Sequence, residues 1–155
     1  YYELNDPKLA FADLKFTRVT QESQADIVLY SSRIDRPGQI LAQAQLGPGG
    51  NGKGWVQFDN SERWASAASA GTILQAVAAH EFGHVLNLEH SRVNTALLAP
   101  YYNPNIVTPQ PADDIPRIVA IYGPRVVVPP PPTGKHLMTI EFEGEMKNPK
   151  IISVV

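Results

Sequence analysis

Residues 80–90 read His-Glu-Phe-Gly-His-Val-Leu-Asn-Leu-Glu-His, and they hold three of the four histidines in this chain of 155 residues. On an α-helix, side chains four residues apart lie on one face, so His80 and His84 can point at one metal ion. Glu81 lies about 100° around the helix from His80, where it can reach a water on the metal without being a ligand. This spacing predicts a helix that carries a metal site.

A third histidine follows at a distance that no continuous helix can use. His90 comes six residues after His84, so the chain must turn back between them to bring a third imidazole to the same ion. Such a turn needs a residue that adopts positive φ at little cost, and Asn87 is the candidate, because asparagine is second only to glycine in this respect. We therefore expect His80, His84 and His90 to be the metal ligands.

The absence of cysteine narrows the identity of the metal site. With no thiolate in the chain, a metal must be held by histidine and carboxylate side chains. Three imidazole nitrogens and one water form a tetrahedral zinc site with an open position, which is the catalytic rather than the structural arrangement. Zinc would polarise a carbonyl and acidify the water, and Glu81 would act as the general base. The stretch predicts a zinc-dependent hydrolase.

Bulk composition fits one soluble domain and excludes several function classes. A formal net charge of −2 argues against a nucleic-acid partner. No apolar run approaches the roughly 18 residues that a membrane span requires, so no membrane span is expected.

Proline-rich residues 128–133 predict a linker, which divides the chain into a main domain at residues 1–125, a linker at 126–134 and a tail at 135–155. Alternation over residues 137–146 predicts one strand in that tail.

Periodicity places strands in the first half of the main domain and two helices in the second. Apolar alternation or short apolar runs predict strands at four places, residues 14–19, 26–30, 38–46 and 55–58. Thr72 and Gln75 have the spacing of a capping box at the start of the histidine helix. An apolar stripe predicts a last helix over residues 115–122, with Asp113 or Asp114 as the N-cap and Pro116 in the first turn, or else a kink at Pro116.

Residues 80–91 resemble the zinc helix and turn of the metzincin zinc peptidases, and the flanking residues resemble the matrix metalloproteinases, or matrixins. Similar segments extend over residues 11–125. The resemblance implies an α+β fold, with a twisted, mostly parallel sheet, an antiparallel edge strand, a zinc-binding active-site helix and a C-terminal helix. It also implies a secreted zinc endopeptidase that acts on protein or peptide substrates.

The resemblance assigns further roles by position. Leu41 and Ala42 lie on the edge strand that pairs with an extended substrate, and Pro100 and Tyr102 form the wall of the pocket for the side chain after the cleaved bond. Asn87 stands where the family has a glycine in the turn. Leu98 replaces a methionine that packs beneath the zinc, and a residue of similar volume should be tolerated there.

The resemblance also predicts differences in metal content. Gln43 and Gln57 stand where the family has two histidines of a second, structural zinc, so we expect a single catalytic zinc ion. Asp59 and Glu62 match a pair of calcium ligands, although a solvated acidic turn explains them equally well.

Two alternatives keep the fold without turnover. In one, the chain is an inactive or tail-inhibited domain, in which residues 137–155 interact with the chain's own cleft as a substrate would. In the other, the chain is a binding module that uses zinc only for stability. Activity after deletion of residues 129–155 and the effect of Glu81→Ala separate these alternatives from the peptidase.

Overall fold

The protein's structure, a computed structural model, describes residues 11–47, 53–66 and 70–126. The compact unit that carries the described secondary structure ends at Arg125. The elements within it are, in chain order, a 3₁₀ turn (Glu22–Gln24), strands β1 (Ile27–Ser32), β2 (Ala42–Ala44), β3 (Gly54–Asp59), β4 (Trp64–Ala65) and β5 (Thr72–Ile73), and helices α1 (Leu74–Val85) and α2 (Asp114–Tyr122).

The main sheet has three strands in the order β1-β3-β2. Strands β1 and β3 are parallel, with Ile27 opposite Gly54, whereas β2 runs antiparallel to β3 with Gln43 opposite Gln57. A second, two-stranded parallel sheet joins β4 to β5. Central strand β3 buries Val56 completely, as expected of a strand covered on one face. The predicted α+β class, with a mixed sheet, an antiparallel edge strand and two helices, is confirmed.

Helix α1 packs on strands β2 and β3, and this contact positions the histidine helix beside the edge strand. A Cβ atom at Gly54 would lie 2.5 Å from Cγ1 of Val85, so only glycine allows the end of α1 to approach β3 so closely. Below the helix, a small apolar cluster of Leu88, Leu97 and Leu98 fills the space toward α2. The segment between the two helices therefore packs around this apolar cluster.

Three local predictions were wrong or too long. Residues 14–19 form no strand, because alternation shows only which side chains share a face and not that a neighbouring strand is available. Thr72 lies in β5 opposite Trp64, and α1 has Ile73 at its N-cap with no side-chain cap, so the capping box is not formed. The strand predicted over residues 38–46 is regular only at Ala42–Ala44.

Several predictions lie outside the described residues. They concern the proline-rich linker at 126–134 beyond its first residue and the tail at 135–155 with its strand at 137–146. Within the described ranges, neither helix has the length and apolar character that crossing a bilayer requires.

Candidate metal centre

The structure brings the three predicted ligands together. One ring nitrogen each of His80, His84 and His90 lies within 4.8 Å of the others. Helix α1 supplies the first two, one turn apart, and their ring centroids are 4.7 Å apart. His90 reaches them from the loop that follows the helix, with its ring centroid 4.7 Å from that of His84. In the part of the chain that the structure describes, no other group of three potential ligands converges in this way.

The reversal after α1 depends on Asn87. Its φ is 68°, and it is the one residue other than glycine with positive φ among those described. The amide of Asn87 donates to the His84 carbonyl at 2.8 Å, and the amide of Leu88 donates to the Gly83 carbonyl at 2.9 Å. Both bonds pair carbonyls that the end of a helix would leave free, so the chain turns tightly enough to bring His90 back.

Hydrogen bonds at the far side of two rings fix which nitrogen faces the cluster centre. Nδ1 of His80 lies 2.8 Å from the Leu97 carbonyl oxygen, and Nδ1 of His84 lies 2.7 Å from that of Leu88. Because a carbonyl only accepts, both Nδ1 atoms must carry the proton, which leaves a lone pair on each Nε2 of the neutral rings.

The two Nε2 atoms of His80 and His84 are 3.0 Å apart. With lone pairs on both atoms this is not a hydrogen bond between neutral rings, and the contact is favourable only when a cation lies between them. Burial lowers the pKa of both His80 and His84, despite the opposing effect of their carbonyl partners, which favours the neutral form that binds metal. The donor set therefore fits a zinc ion.

Glu81 lies on α1 beside the cluster and is only 7% exposed. Its side chain lines the same cleft as the three histidines. Burial raises the pKa of Glu81 to about 7, because a charged carboxylate loses hydration in this position. A cation at the cluster would act in the opposite direction and stabilise the carboxylate form. The side chain can therefore accept a proton near neutral pH.

The residue beneath the histidines is Leu98, which is 1% exposed. A Cβ atom at Gly83 would lie 2.8 Å from Cδ2 and 2.9 Å from Cδ1 of Leu98. Glycine at position 83 therefore leaves the space that the Leu98 side chain occupies, and the two residues pack against each other. That Leu98 packs beneath the zinc, as the resemblance implies, stays a prediction.

Sequence reasoning missed Asp114, which it considered only as an N-cap. Asp113 occupies that position, and the Asp114 carboxylate is buried, with 1% exposure. It accepts hydrogen bonds from the amides of Leu97 at 2.7 Å, Leu98 at 3.2 Å and Gln110 at 2.8 Å. Since the Leu97 carbonyl holds His80, this carboxylate supports a ligand from the first turn of α2. Two adjacent acids at a helix start, of which an N-cap can use at most one, were the available signal, and Asp113 itself makes no side-chain cap bond.

The four residues predicted to bind substrate line one cleft with the histidines. Leu41, Ala42, Pro100 and Tyr102 border a cavity of about 580 Å³ that also contains Glu81. The hydroxyl of Tyr102 accepts a hydrogen bond from the Ile73 amide at 2.8 Å, which ties the wall of the cavity to the start of α1. The structure places these residues together, and their role in binding stays a prediction.

The acidic pair Asp59 and Glu62 lies away from the histidines and anchors a loop. Asp59 is fully buried, and its carboxylate accepts the amides of Asp35 at 2.9 Å and Ser61 at 2.7 Å. Chiefly because of the Asp35 amide, the pKa of Asp59 is lowered to about 2. Glu62 accepts the amide of Gly38 at 2.6 Å.

The two glutamines that the resemblance places at second-zinc positions, Gln43 and Gln57, bond to each other. Nε2 of Gln43 donates to Oε1 of Gln57 at 2.7 Å, across the β2–β3 pair. Nε2 of Gln57 then donates to the Ser32 hydroxyl at 2.7 Å, on β1. This chain of bonds crosses all three strands and uses the side-chain polar atoms that face one another.

Comparison with protein families agrees with this geometry. The family model described as Matrixin matches residues 7–123, which include every strand and helix named above and all three histidines. The chain belongs to the matrixin family. Matrixins are zinc metalloendopeptidases, so the enzyme class expected from residues 80–91 is confirmed at the level of the family, as is its dependence on zinc.

Individual matrixins show the same relationship over shorter or longer segments. This matrixin is 37% identical over 140 residues to stromelysin-3 of Xenopus laevis, a match that covers 84% of this chain and 29% of the relative. It is 36% identical over 124 residues to matrix metalloproteinase-19 of Mus musculus, covering 76% and 21%. With the hatching enzyme of Paracentrotus lividus the identity is 45% over 93 residues, covering 58% and 15%. The chain therefore spans less than a third of the length of these relatives.

Proposed function

We propose that this chain hydrolyses peptide bonds in proteins or peptides, with one zinc ion held by His80, His84 and His90 and with Glu81 as the general base. The observation that supports this most strongly is the pair of Nε2 lone pairs 3.0 Å apart on His80 and His84. Both opposite ring nitrogens are held by carbonyls, so the inward nitrogens carry lone pairs, and among the described residues no protein donor faces them.

Zinc, when bound, polarises the scissile carbonyl and acidifies the attacking water. Glu81 accepts the proton of that water and later transfers it to the leaving amine, which needs a carboxylate that is charged at the start and accepts a proton near neutral pH. Its burial beside the cleft supplies the second property. His80 and His84 keep their orientation during these steps through the Leu97 and Leu88 carbonyls.

Substrate would bind along the edge of the sheet. Strand β2 pairs with β3 on one side only among the described strands, so an extended peptide can add to its other edge through main-chain hydrogen bonds at Ala42. The carbonyl of the neighbouring Leu41 faces β3 and accepts the Asp59 amide at 3.0 Å, so Leu41 would contribute to binding through its side chain. Main-chain pairing would accept many sequences. The cavity beside Pro100 and Tyr102 would select the side chain that follows the cleaved bond.

Cleavage of a peptide library, with and without a zinc chelator, tests this proposal. We expect cleavage that the chelator abolishes and added zinc restores, with an apolar preference after the cleaved bond. Glu81→Ala should keep its zinc and lose cleavage by about a hundredfold or more, within the range that general acid–base catalysis contributes. Cleavage by Glu81→Ala at the wild-type rate would show that another group is the base.

The same experiment decides the alternative of a binding module with a structural zinc. Such a module would bind zinc and show no chelator-sensitive cleavage in the wild-type chain. The tail-inhibited alternative and self-interaction through the tail concern residues 127–155, which lie outside the part of the chain that the structure describes, so neither forms part of the proposal.

For the remaining metals we propose one zinc ion per chain, since Gln43 and Gln57 use their facing atoms for each other. Calcium at Asp59 and Glu62 stays a prediction. One oxygen of Asp35, Oδ1, is buried without a hydrogen-bond partner near these carboxylates, which fits a nearby cation. A calcium-dependent rise in melting temperature would support such a site, and an unchanged melting temperature would contradict it.

Two further predictions concern the domain division, which rests on the proline-rich residues, and secretion, which rests on the family alone. We propose that the catalytic domain spans residues 1–125, followed by the linker at 126–134 and the tail at 135–155. We also propose that the protein is secreted, which recovery of the protein in the medium of expressing cells would test.

A further inference from the structure

The three histidines are not held in the same way. The rings of His80 and His84 each bond through Nδ1 to a main-chain carbonyl. The ring of His90 is exposed, and within the described residues it makes no hydrogen bond. The position of this third imidazole therefore depends on how its main chain is fixed.

Two hydrogen bonds fix the main chain on either side of His90. After it, the amide of Ser91 donates to the Leu98 carbonyl at 2.8 Å. Before it, the carbonyl of Glu89 accepts from Nη2 of Arg117 at 2.6 Å. The second bond crosses from α2 to the histidine turn, and Arg117 is the side chain that provides it. The other terminal nitrogen of Arg117, Nη1, lies 3.4 Å from Asp113, one turn earlier on α2.

We propose that Arg117 is a positioning residue for the third zinc ligand, holding His90 through the Glu89 carbonyl. This inference rests on the proposed function, because it needs zinc at the three histidines. A guanidinium suits the task, since its planar fork can bond a carbonyl with one terminal nitrogen while the other stays directed at a carboxylate. Charge-assisted bonds of this kind are shorter and stronger than neutral ones, in agreement with the 2.6 Å distance.

The positioning role and a simple charge effect predict changes of opposite sign in zinc affinity when Arg117 is replaced. Arg117 brings a positive charge toward a site that takes a cation, so by Coulomb repulsion alone its removal would tighten zinc binding. If the bond to the Glu89 carbonyl holds His90 in place, removal loosens the third ligand and weakens zinc binding. The direction of the change in zinc affinity therefore separates the two effects.

The test uses three variants of the full chain. Arg117→Met removes the charge and the bond to the Glu89 carbonyl while keeping most of the side-chain volume. Arg117→Lys keeps the charge and one donor nitrogen. Arg92→Met is the matched control, because Arg92 is exposed, lies two residues from His90, and makes no hydrogen bond or ion pair within the described residues. The zinc dissociation constant is measured by competition with a chelator, and the unfolding temperature is measured without zinc.

We expect Arg117→Met to raise the zinc dissociation constant about tenfold, the lower end of the effect of lost outer hydrogen-bond partners. Arg117→Lys should recover part of that loss, and Arg92→Met should leave the constant unchanged. The zinc-free unfolding temperature of Arg117→Met should stay close to that of the wild type, because the bond to the Glu89 carbonyl is solvent-exposed and methionine keeps the packing of the side-chain stem. At saturating zinc, its KM for a peptide should also equal the wild-type value.

An unchanged or lower dissociation constant for Arg117→Met would overturn the positioning role while leaving the proposed function intact. An equal loss in Arg92→Met would overturn it as well, since a residue with no bond to the histidine turn would then have the same effect as Arg117. A wild-type chain that binds no zinc would instead overturn the proposed function, so the two failures are distinguishable.

Discussion

Two polar clusters of this domain have opposite constructions. In the histidine cluster, the outer ring nitrogens of His80 and His84 are bonded to carbonyls, and the inner nitrogens face each other with lone pairs. In the acidic pair, the carboxylates of Asp59 and Glu62 accept amide protons from the loop at residues 35–38. Among the described residues, no protein donor faces the central atoms of the first cluster, whereas the second cluster uses its charged atoms to hold the chain.

This difference teaches how a ligand site can be distinguished from a structural cluster. Buried polar atoms are normally paired within the protein, so atoms that converge without donors indicate a partner from outside. Identity of residue type is a weaker guide, since histidines and acids both bind metals. The following predictions test whether this distinction in hydrogen bonding matches a distinction in metal dependence.

The largest effect should follow the loss of a ligand. His84→Ala removes one of three converging nitrogens, so zinc binding should weaken by more than the roughly 100-fold that loss of an outer hydrogen-bond partner costs. Peptide cleavage should fall to background. Metal analysis of the purified chain and chelator competition measure the change. Glu62→Gln, in the acidic pair, should retain zinc; equal zinc content in both variants would remove the distinction between the clusters.

A large loss of stability should follow a change in the buried support of the histidine cluster. In Asp114→Asn, one carboxylate oxygen becomes an amide donor that opposes main-chain amides, so the free energy of unfolding should fall by about 3 kcal/mol. Zinc affinity should fall with it, because Leu97 carries both an amide bonded to Asp114 and the carbonyl bonded to His80.

The neighbouring acid provides the control for this prediction. Asp113→Asn changes only a partly exposed ion pair with Arg117 at 3.4 Å, which should cost less than about 1 kcal/mol. Urea unfolding of both variants without zinc measures the difference. If Asp113→Asn were as destabilising as Asp114→Asn, the buried amide bonds of Asp114 would not be the cause.

The histidine cluster could be predicted from the sequence because its geometry is local. Helical periodicity alone fixes His80 relative to His84, and the short return to His90 needs one residue with positive φ, which Asn87 provides at 68°. Short apolar runs predicted individual strands, and only the resemblance implied the mostly parallel sheet with its antiparallel edge strand. The inferences made from the residues themselves use separations of a few residues, over which chain geometry is nearly fixed.

What could not be predicted depends on contacts distant in sequence. The bonds from Asp114 to Leu97 and from Arg117 to Glu89 join residues 17 and 28 positions apart. Thr72 has the local pattern of a cap, yet it pairs with Trp64 in a parallel strand. In each case the sequence offered a suitable residue type, and tertiary structure selected its partner.

A pH-dependent contribution to stability should distinguish the acidic pair from the histidine cluster. Because the folded pKa of Asp59 is lowered to about 2 from 3.8, its carboxylate stabilises the fold above about pH 4, and this contribution is lost as the pH falls toward 2. Asp59→Asn should therefore be less stable than the wild type near neutral pH, and the difference should shrink at about pH 2. Urea unfolding without zinc at several pH values measures this. A difference that stays constant with pH would contradict the assignment, as would a weakened zinc affinity at neutral pH.

The smallest effect should come from the glutamine pair, which tests the distinction where the family expects a metal. Gln43→Ala removes one donor from an exposed side chain, so the free energy of unfolding should change by about 1 kcal/mol or less. Since Gln57 keeps its bond to Ser32, the strands should stay joined, and metal analysis should still find one zinc per chain. Loss of a metal ion from Gln43→Ala would mean that paired amides can bind a cation, and that hydrogen-bond pairing does not separate structural clusters from ligand sites in this domain.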